Sequence, residues 1–402
     1  MNNTDCIQVF SAPGRTELAG NHTDHNNGKV LAAPIQLHIT AHVQKKVDNT
    51  IHICSPGFPE VKVKLKNLNG KYDLQKRPEE TGTANALVRG IAAEFNKRGY
   101  PIGGFFANTE SKVLPGSGLS SSAALEVLIT RIFDSLYGEG KLSVLETAQI
   151  GQIAENNYFG KPCGLMDQIA CASDGAVTID FANSVCADNK NPIIKKINFD
   201  PSAAAYSLCI VNTGGSHADL TADYASIPAD MKAVAAFFGK SVLRELDKES
   251  VLSRAVEIRK ALGDRALLRA IHFFNENERV DKMTSVLLEM ENALTDAEKE
   301  KLFNCYLKLV NESGDSSWKI LQNVYSPHNP EQQGITTALA LTKDFFYEQN
   351  IFGTNKVCAC RVHGGGFAGT IQVYLPLGAI DAYRVFIEKV FGEGAVRELR
   401  VK

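Results

Sequence analysis

Between Leu114 and Tyr137 the chain reads LPGSGLSSSAALEVLITRIFDSLY, and this stretch restricts the possible fold more than any other. It opens on a turn in which Gly116 and Gly118 flank Ser117, and Ser120, Ser121 and Ser122 follow. Leu125, Leu128, Ile129, Ile132, Phe133 and Leu136 then fall on one face of a helix. Gly138 stands where a left-handed C-cap would end that helix. The preceding FFANTESKVLP reads as a strand entering the turn. The order is therefore strand, glycine loop, then a helix whose first turn is all small residues. A helix start carries unpaired N–H groups and partial positive charge, and glycines let backbone approach an anion closely. Small hydroxyls leave room for phosphate oxygens and can ligate Mg²⁺. The competing reading is a serine-rich N-cap on an ordinary core helix. Two glycines, three serines and two alanines in succession favour a phosphate cradle. It is neither a Walker A loop nor a Rossmann GxGxxG, because the lysine and the glycine spacing those motifs need are missing.

The pattern PxGxGLSSSAA resembles the phosphate loop of the GHMP small-molecule kinases. That resemblance implies that Gly116, Ser117, Gly118, Ser120, Ser121 and Ser122 contact ATP.

A chain of 402 residues is long for one hydrophobic core, so two domains are expected, 1–200 and 201–402. The net charge of -2 leaves no global basic surface for nucleic acid or anionic membrane. No apolar run approaches membrane-spanning length, and the start lacks the basic and apolar regions of a signal peptide. The expected compartment is the cytoplasm. Nine cysteines are scattered, and the close pair Cys358 and Cys360 has no second half at zinc-ligand spacing. Most of them are expected to be buried small hydrophobes in a reducing compartment. Along the chain, a strand at Ile7–Phe10 precedes a polar loop and an apolar β-prone run, Val30–Val43. Helices are expected at 83–98 and up to Gly160. The second half begins with a strand at 206–213, followed by helices near 218–238, 242–262, 265–276, 280–293, 297–312 and 331–349. Two strands and a helix from Ala379 to Phe391 close the chain.

Three loops could carry chemistry. The first, APGRTELAGNHTDHNNG (12–28), is polar enough to be a solvated turn. A metal reading through His22, Asp24 and His25 lacks fixed geometry at adjacent spacing. Asp and Asn in such a loop also suit the reading of sugar hydroxyls. The stretch resembles the galactokinase signature, with Arg15, Gly20, His22, Thr23, Asp24, Asn26 and Gly28 matching. Asn21 stands where that family has Glu, His25 where it has Tyr, and Thr16 and Glu17 break its usual apolar run. In the second loop, GKPCGLMDQIA (160–170), Asp167 read alone is a helix-start carboxylate. The resemblance of CGxMDQ to the family's catalytic segment implies that Asp167 is the catalytic carboxylate and Arg15 its cationic neighbour. Glu155, read alone an exposed helix residue, matches the family's magnesium-binding Glu, paired with Ser122. The third loop, RVHGGGFAGTIQVYL, sets Gly364, Gly365 and Gly366 between two strands. It is a tight turn or, by its likeness to the family's GGGFGG, a loop closing over phosphates, with Ala368 in place of one glycine. Tyr224 matches a sugar-contacting Tyr, without the arginine pair that follows it in the family. Residues 313–334 depart from the galactokinase pattern and have no assigned role.

Taken whole, the resemblance implies a two-domain α+β fold of the GHMP-kinase type with its active site in the interdomain cleft. It implies a kinase that uses ATP and Mg²⁺ to phosphorylate a monosaccharide at C1, with Asn21, His22, Asp24 and Tyr224 facing the sugar. Galactose is the first expected substrate. The neutral Asn21, with a protonated His22 or His25, raises the alternative of galacturonate or L-arabinose. A non-catalytic sugar and ATP sensor is a further reading, and the presence of both Arg15 and Asp167 argues against it. No nucleic-acid or membrane partner is expected, and the oligomeric state is left open.

Overall fold

The computed structural model describes residues 6–113, 116, 118–182, 191–215, 220–348 and 356–401. The chain forms two compact units. The first comprises Met1–Arg15, Pro34–Pro115 and Leu119–Asp174, and the second Thr16–Ala33, Gly116–Gly118 and Gly175–Lys402. The division falls after Asp174, with two short stretches of the N-terminal half assigned to the second unit, whereas the sequence suggests 1–200 and 201–402. Strand β1 (Gln8–Ala19) divides between Arg15 and Thr16, and β2 (Lys29–Lys45) between Ala33 and Pro34. The strand expected at Ile7–Phe10 thus runs on through Arg15, with every residue from Ala12 to Ala19 buried.

In the first unit β2 pairs antiparallel with β5 (Phe105–Ser111), which pairs in parallel with β3 (Thr50–Cys54). Strand β4 (Val61–Lys64) adds the antiparallel edge. Alternation does the sorting: Ala41, Val43, Ile51, Ile53, Val61, Val63, Phe105 and Ala107 are buried on one face. Helix α1 (Ala84–Lys97) is capped by Thr83 and packs against α2 (Ser121–Leu136) and α3 (Val144–Ile153). Phe95, Phe105 and Phe133 meet there, all fully buried, each contributing roughly 1.5–3 kcal/mol of transfer free energy. Helix α3 starts with a capping box of Ser143 and Glu146 and widens at its end into a π-turn, Ala154–Phe159. Gly160, at φ +91°, stops it, and α4 (Met166–Ala172) follows.

In the second unit β6 (Val177–Asp180) lies between residues 29–32 of β2 and β7 (Ile193–Lys196). A separate antiparallel sheet has the order β11-β8-β10-β9, formed by β8 (Tyr206–Asn212), β9 (Ala359–His363), β10 (Thr370–Pro376) and β11 (Val396–Leu399). Its apolar side packs against α10 (Gly334–Glu348) and α11 (Ile380–Phe391). A second apolar cluster joins α5 (Thr221–Phe237), α6 (Lys248–Ser253), α7 (Ala255–Leu262) and α8 (Asp264–Glu291). Helix α9 (Asp296–Ser316) packs along α8 and β9 and runs into a second π-turn, Ser317–Leu321. The helix expected over 242–262 is broken at Asp247, whose side chain caps α6, and again at Arg254. The two helices expected at 265–276 and 280–293 are one helix, α8, in which Asn277 and Arg279 are buried rather than exposed. Among the described residues no helix is long and apolar enough to cross a membrane. Of the described cysteines Cys171, Cys209, Cys358 and Cys360 are buried, whereas Cys6 and Cys305 are exposed.

Candidate functional site

In the first unit the middle of β1, at Gly14 and Arg15, meets the residues that lead into α2. The Arg15 N–H donates to the Leu119 carbonyl (3.1 Å), and an added Cβ on Gly14 would lie 2.7 Å from that oxygen. Only glycine permits this approach, which sets Arg15 beside the start of α2. Its guanidinium grips Asp167 in two parallel bonds, Nε to Oδ1 at 2.7 Å and Nη2 to Oδ2 at 2.9 Å. Ser120 Oγ donates to the same Oδ2 (2.5 Å). Ser120 precedes α2 with φ +55°, a left-handed conformation rare for a side-chain-bearing residue, and its hydroxyl does not cap the helix. Burial pushes the Asp167 carboxyl up, but the Arg15 charge and the bonds from Arg15 and Ser120 hold it below its ordinary value.

Ser122, in the first turn of α2, donates to Glu155 Oε1 (3.3 Å). Glu155 lies in the first π-turn and is buried, not exposed as the sequence alone suggests. Lys161 Nζ stands 3.2 Å from the same oxygen, and Gln168 Nε2 bridges Glu155 Oε2 and Glu126 Oε2 at 3.0 Å each. Burial and then the neighbouring Glu155 raise the Glu126 carboxyl well above its ordinary value. Glu126 was not anticipated: at the middle of an amphipathic helix one Glu reads as solvated. The hydroxyl of Ser122 and the carboxylate of Glu155 are hard oxygen donors and suit Mg²⁺, and Lys161 already brings a cation to them. The His22, Asp24 and His25 metal reading is not met. Among the described residues the one His/Cys/Asp/Glu group with ligand atoms within 4.8 Å is His52, Cys54 and Glu60 on the β3–β4 hairpin. There Lys62 Nζ lies 2.6 Å from Glu60, which is exposed, while His52 and Cys54 are half-buried.

In the second unit the turn between β1 and β2 is folded tightly. A Cβ on Gly20, at φ +93°, would lie 2.5 Å from the Lys29 carbonyl. Asn21 is fully buried, and Asp24 Oδ1 accepts from the His25 N–H (3.0 Å). The residues expected to face a sugar mostly face the glycine loop. Asn21 Nδ2 donates to the Gly364 carbonyl (2.7 Å), His22 Nε2 to that of Gly365 (2.8 Å), and Tyr224 Oη to that of Gly366 (3.0 Å). With Nε2 carrying the hydrogen, His22 Nδ1 is an acceptor, and it is buried without a partner. Burial, then the neighbouring His25, lowers the His22 pKa to about 3. The imidazole is therefore neutral at physiological pH, which corrects the expectation of a protonated His22. Gly118 belongs to this unit too, and a Cβ on it would lie 2.9 Å from Thr370 Oγ1, while one on Gly364 would lie 3.8 Å from the Gly118 backbone. Gly116 has φ +72°, and Ser117 lies outside the described residues.

Behind this turn lies a charged network that the sequence did not announce. Glu17 pairs with the fully buried Arg361, whose pKa is raised although burial opposes it, first by Glu17 and then by Glu276. Glu276 on α8 accepts from the Gly20 N–H (3.1 Å) and Ser313 Oγ (2.7 Å) and pairs with Arg279. Burial would raise its pKa, but Arg279, His272 and Arg361 outweigh that and pull it down to about 2. His272 Nε2 donates to the Asn21 carbonyl (2.9 Å), and Asn323 Nδ2 to Asn21 Oδ1 (2.8 Å).

Two family descriptions match the chain, the GHMP kinases N terminal domain over residues 85–175 and the galactokinase galactose-binding signature over residues 2–45. A galactokinase of Actinobacillus pleuropneumoniae serotype 5b is 30% identical over 387 residues, covering 94% of this chain and 88% of its own. A galactokinase of Streptomyces coelicolor is 28% identical over 400 residues, with 98% and 91% covered. The crystal structure of Lactococcus lactis galactokinase complexed with galactose matches with a TM-score of 0.75 at 22% identity, over 100% of this chain and 95% of that one. The Methanococcus jannaschii mevalonate kinase matches with a TM-score of 0.58 at 13% identity, over 99% of each. At these identities the structural likeness establishes a common fold.

Proposed function

Because this chain belongs to the galactokinase family of GHMP kinases, we propose that it transfers the terminal phosphoryl group of ATP to the C1 hydroxyl of galactose. Phosphoryl transfer asks mainly for alignment and for neutralisation of charge, with a group to take the proton of the attacking hydroxyl. The observation that carries this reading is the Asp167 carboxylate, gripped by Arg15 and touched by Ser120 at the start of α2. Held ionised, Asp167 is ready to accept the C1 proton. Arg15 fixes the carboxylate plane and offsets its charge. Gly116, Gly118, Ser121 and the free N–H groups at the start of α2 cradle the phosphates. Ser122 and Glu155 would hold Mg²⁺, which when bound offsets the charge of the phosphates.

Toward the sugar, His22 Nδ1 accepts a hydroxyl hydrogen, and Asp24 accepts another. A neutral imidazole gives no counter-charge for a sugar carboxylate, so galactose is favoured over galacturonate. Tyr224 acts through the glycine loop that its hydroxyl holds. ATP as the co-substrate supports a reaction in the cytoplasm. A coupled ADP-release assay with galactose, galacturonate and L-arabinose tests the reading. Sugar-dependent ADP release with galactose preferred is the expected result. Binding of ATP and sugar without ADP release would return the protein to a sensor.

A further inference from the structure

We propose that Glu17 and Asn21 act as one coupled pair, which together with Asn323 positions the glycine loop 364–366 instead of reading the sugar. The inference starts from what surrounds one amide. Asn21 Nδ2 lies 2.7 Å from the Gly364 carbonyl and 3.1 and 3.4 Å from the two Glu17 oxygens. Three acceptors converge on a single NH₂ group, and the site excludes water. A donor is obligatory there. A carboxylate at position 21 would put its oxygens against a carbonyl and a buried negative charge, with no solvent to screen them.

Glu17 holds that negative charge because Arg361, fully buried, faces it. Position 17 being anionic thus requires position 21 to be neutral. The two departures from the galactokinase signature, a carboxylate gained at 17 and one absent at 21, become a single exchange rather than two independent changes.

Asn323 completes the arrangement from the opposite side. Its Nδ2 donates to Asn21 Oδ1 at 2.8 Å and to the Gly365 carbonyl at 3.2 Å, and its backbone carbonyl accepts from the Phe367 N–H at 2.6 Å. A Cβ on Gly366 would lie 2.1 Å from that carbonyl oxygen. Asn323 is delivered there by irregular backbone, the π-turn Ser317–Leu321 followed by Gln322 at φ +61°. The stretch 313–334, which departs from the galactokinase pattern, therefore has a task in this chain. Glu17 sets the orientation of the Asn21 amide, and Asn21 and Asn323 set the loop.

The kinetic arm of the test rests on the proposed kinase activity; the stability arm does not. Asn21→Asp, Glu17→Gln and the double variant form a cycle, read by thermal unfolding and by kcat/KM for galactose and L-arabinose. Asn21→Asp is expected to lower kcat/KM about tenfold for both sugars, with their ratio held within about twofold, as loss of a buried hydrogen bond shared by every substrate would do. Adding Glu17→Gln to Asn21→Asp removes the like charge and is expected to recover much of the lost stability and activity. A double variant no better than Asn21→Asp alone, in either readout, overturns the coupling. A tenfold change in the sugar ratio would show that position 21 reads the C6 end, and would overturn the positioning role. Should both variants carrying Asp at 21 fail to fold, Asn323→Ala decides: a loss with the ratio preserved supports the proposal, and an unchanged enzyme or a changed ratio refutes it. If the wild type turns over no sugar at all, the kinase reading fails while the unfolding cycle still tests the coupling.

Discussion

Two buried groups of charge, one in each unit, are made of the same materials and are finished differently. In the first unit, Asp167, Glu155 and Glu126 outnumber Arg15 and Lys161, the Asp167 side chain keeps 33% of its surface exposed, and the Lys161 side chain 63%. In the second, Glu17, Glu276, Arg361 and Arg279 alternate in sign, and the side chains of Glu17, Glu276 and Arg361 are almost wholly enclosed. The first group holds one more carboxyl than it has cations, Glu126 keeping its proton, and it stands beside a helix start, reachable by solvent and so by a phosphate and its cation. The second is closed and internally balanced, and what it presents is a set of oriented backbone groups. A group of charges left open to solvent marks where chemistry enters; one closed off marks what holds the loops in place.

If that contrast is right, the largest effect on stability belongs to the closed network. Arg361→Leu would leave the buried Glu17 without its partner and remove a cation that acts on Glu276. A loss of about 3–5 kcal/mol is expected, the usual consequence of removing one partner of a buried pair. Denaturant unfolding measures it, and a change below about 1 kcal/mol would mean that the network is dispensable.

Asp167→Asn reverses the pattern. It is expected to lower kcat by at least about 10²-fold, the low end for loss of a positioned base, with ATP binding little changed. Near-normal turnover would move the chemistry elsewhere, and a collapse of stability comparable to that of Arg361→Leu would erase the distinction between the groups.

The difference between the groups also explains what the sequence could and could not convey. Arg15, Asp167 and the serines of the phosphate loop sit in short contiguous motifs, each legible as a unit. Glu155 carried a match but no local sign of burial, since the π-turn that encloses it has no sequence signature. The closed network was illegible because its contacts join positions far apart: Glu17 with Arg361, and Gly20 with Glu276. Each charged residue, taken alone, reads as surface. The same blindness split α8 in two, because Glu276, Asn277 and Arg279 interrupt its apolar face. Glu276 meets Gly20, and Asn277 Oδ1 accepts from the Lys29 N–H at 2.7 Å, so polar residues face inward there. Asn21 was legible as a departure from the signature, but its meaning depended on Glu17 and Asn323.

Within the open group, Glu155→Ala is expected to raise the Mg²⁺ concentration needed for half-maximal activity by about tenfold or more, in line with loss of a metal-supporting group. Titration of Mg²⁺ at saturating ATP checks it. An unchanged requirement would make Glu155 a structural partner of Lys161 and Gln168 only, and would leave the open group without its cation site.

The smallest effect expected is also the one with the clearest sign. Glu126 and Glu276 are both buried carboxyls, yet burial and Glu155 raise the first while Arg279, His272 and Arg361, against burial, lower the second. For Glu126 the folded protein keeps its proton at a pH where the unfolded chain has released it. Stability therefore falls as pH rises from the ordinary carboxyl value through the raised one, and the loss persists above. Glu276 runs the other way, with its contribution present above the ordinary value and lost as pH falls toward 2. Glu126→Gln has no proton to lose and keeps a carbonyl for the Gln168 amide, which now bonds Glu126 Oε2 at 3.0 Å. Its unfolding free energy should match the wild type near pH 4, where both side chains are uncharged, and exceed it by about 1 kcal/mol at pH 8. Parallel curves would mean that Glu126 titrates normally. A wild type more stable than the variant at pH 8 would mean that Glu126 is ionised and paired, and that burial and Glu155 do not hold its proton in the fold.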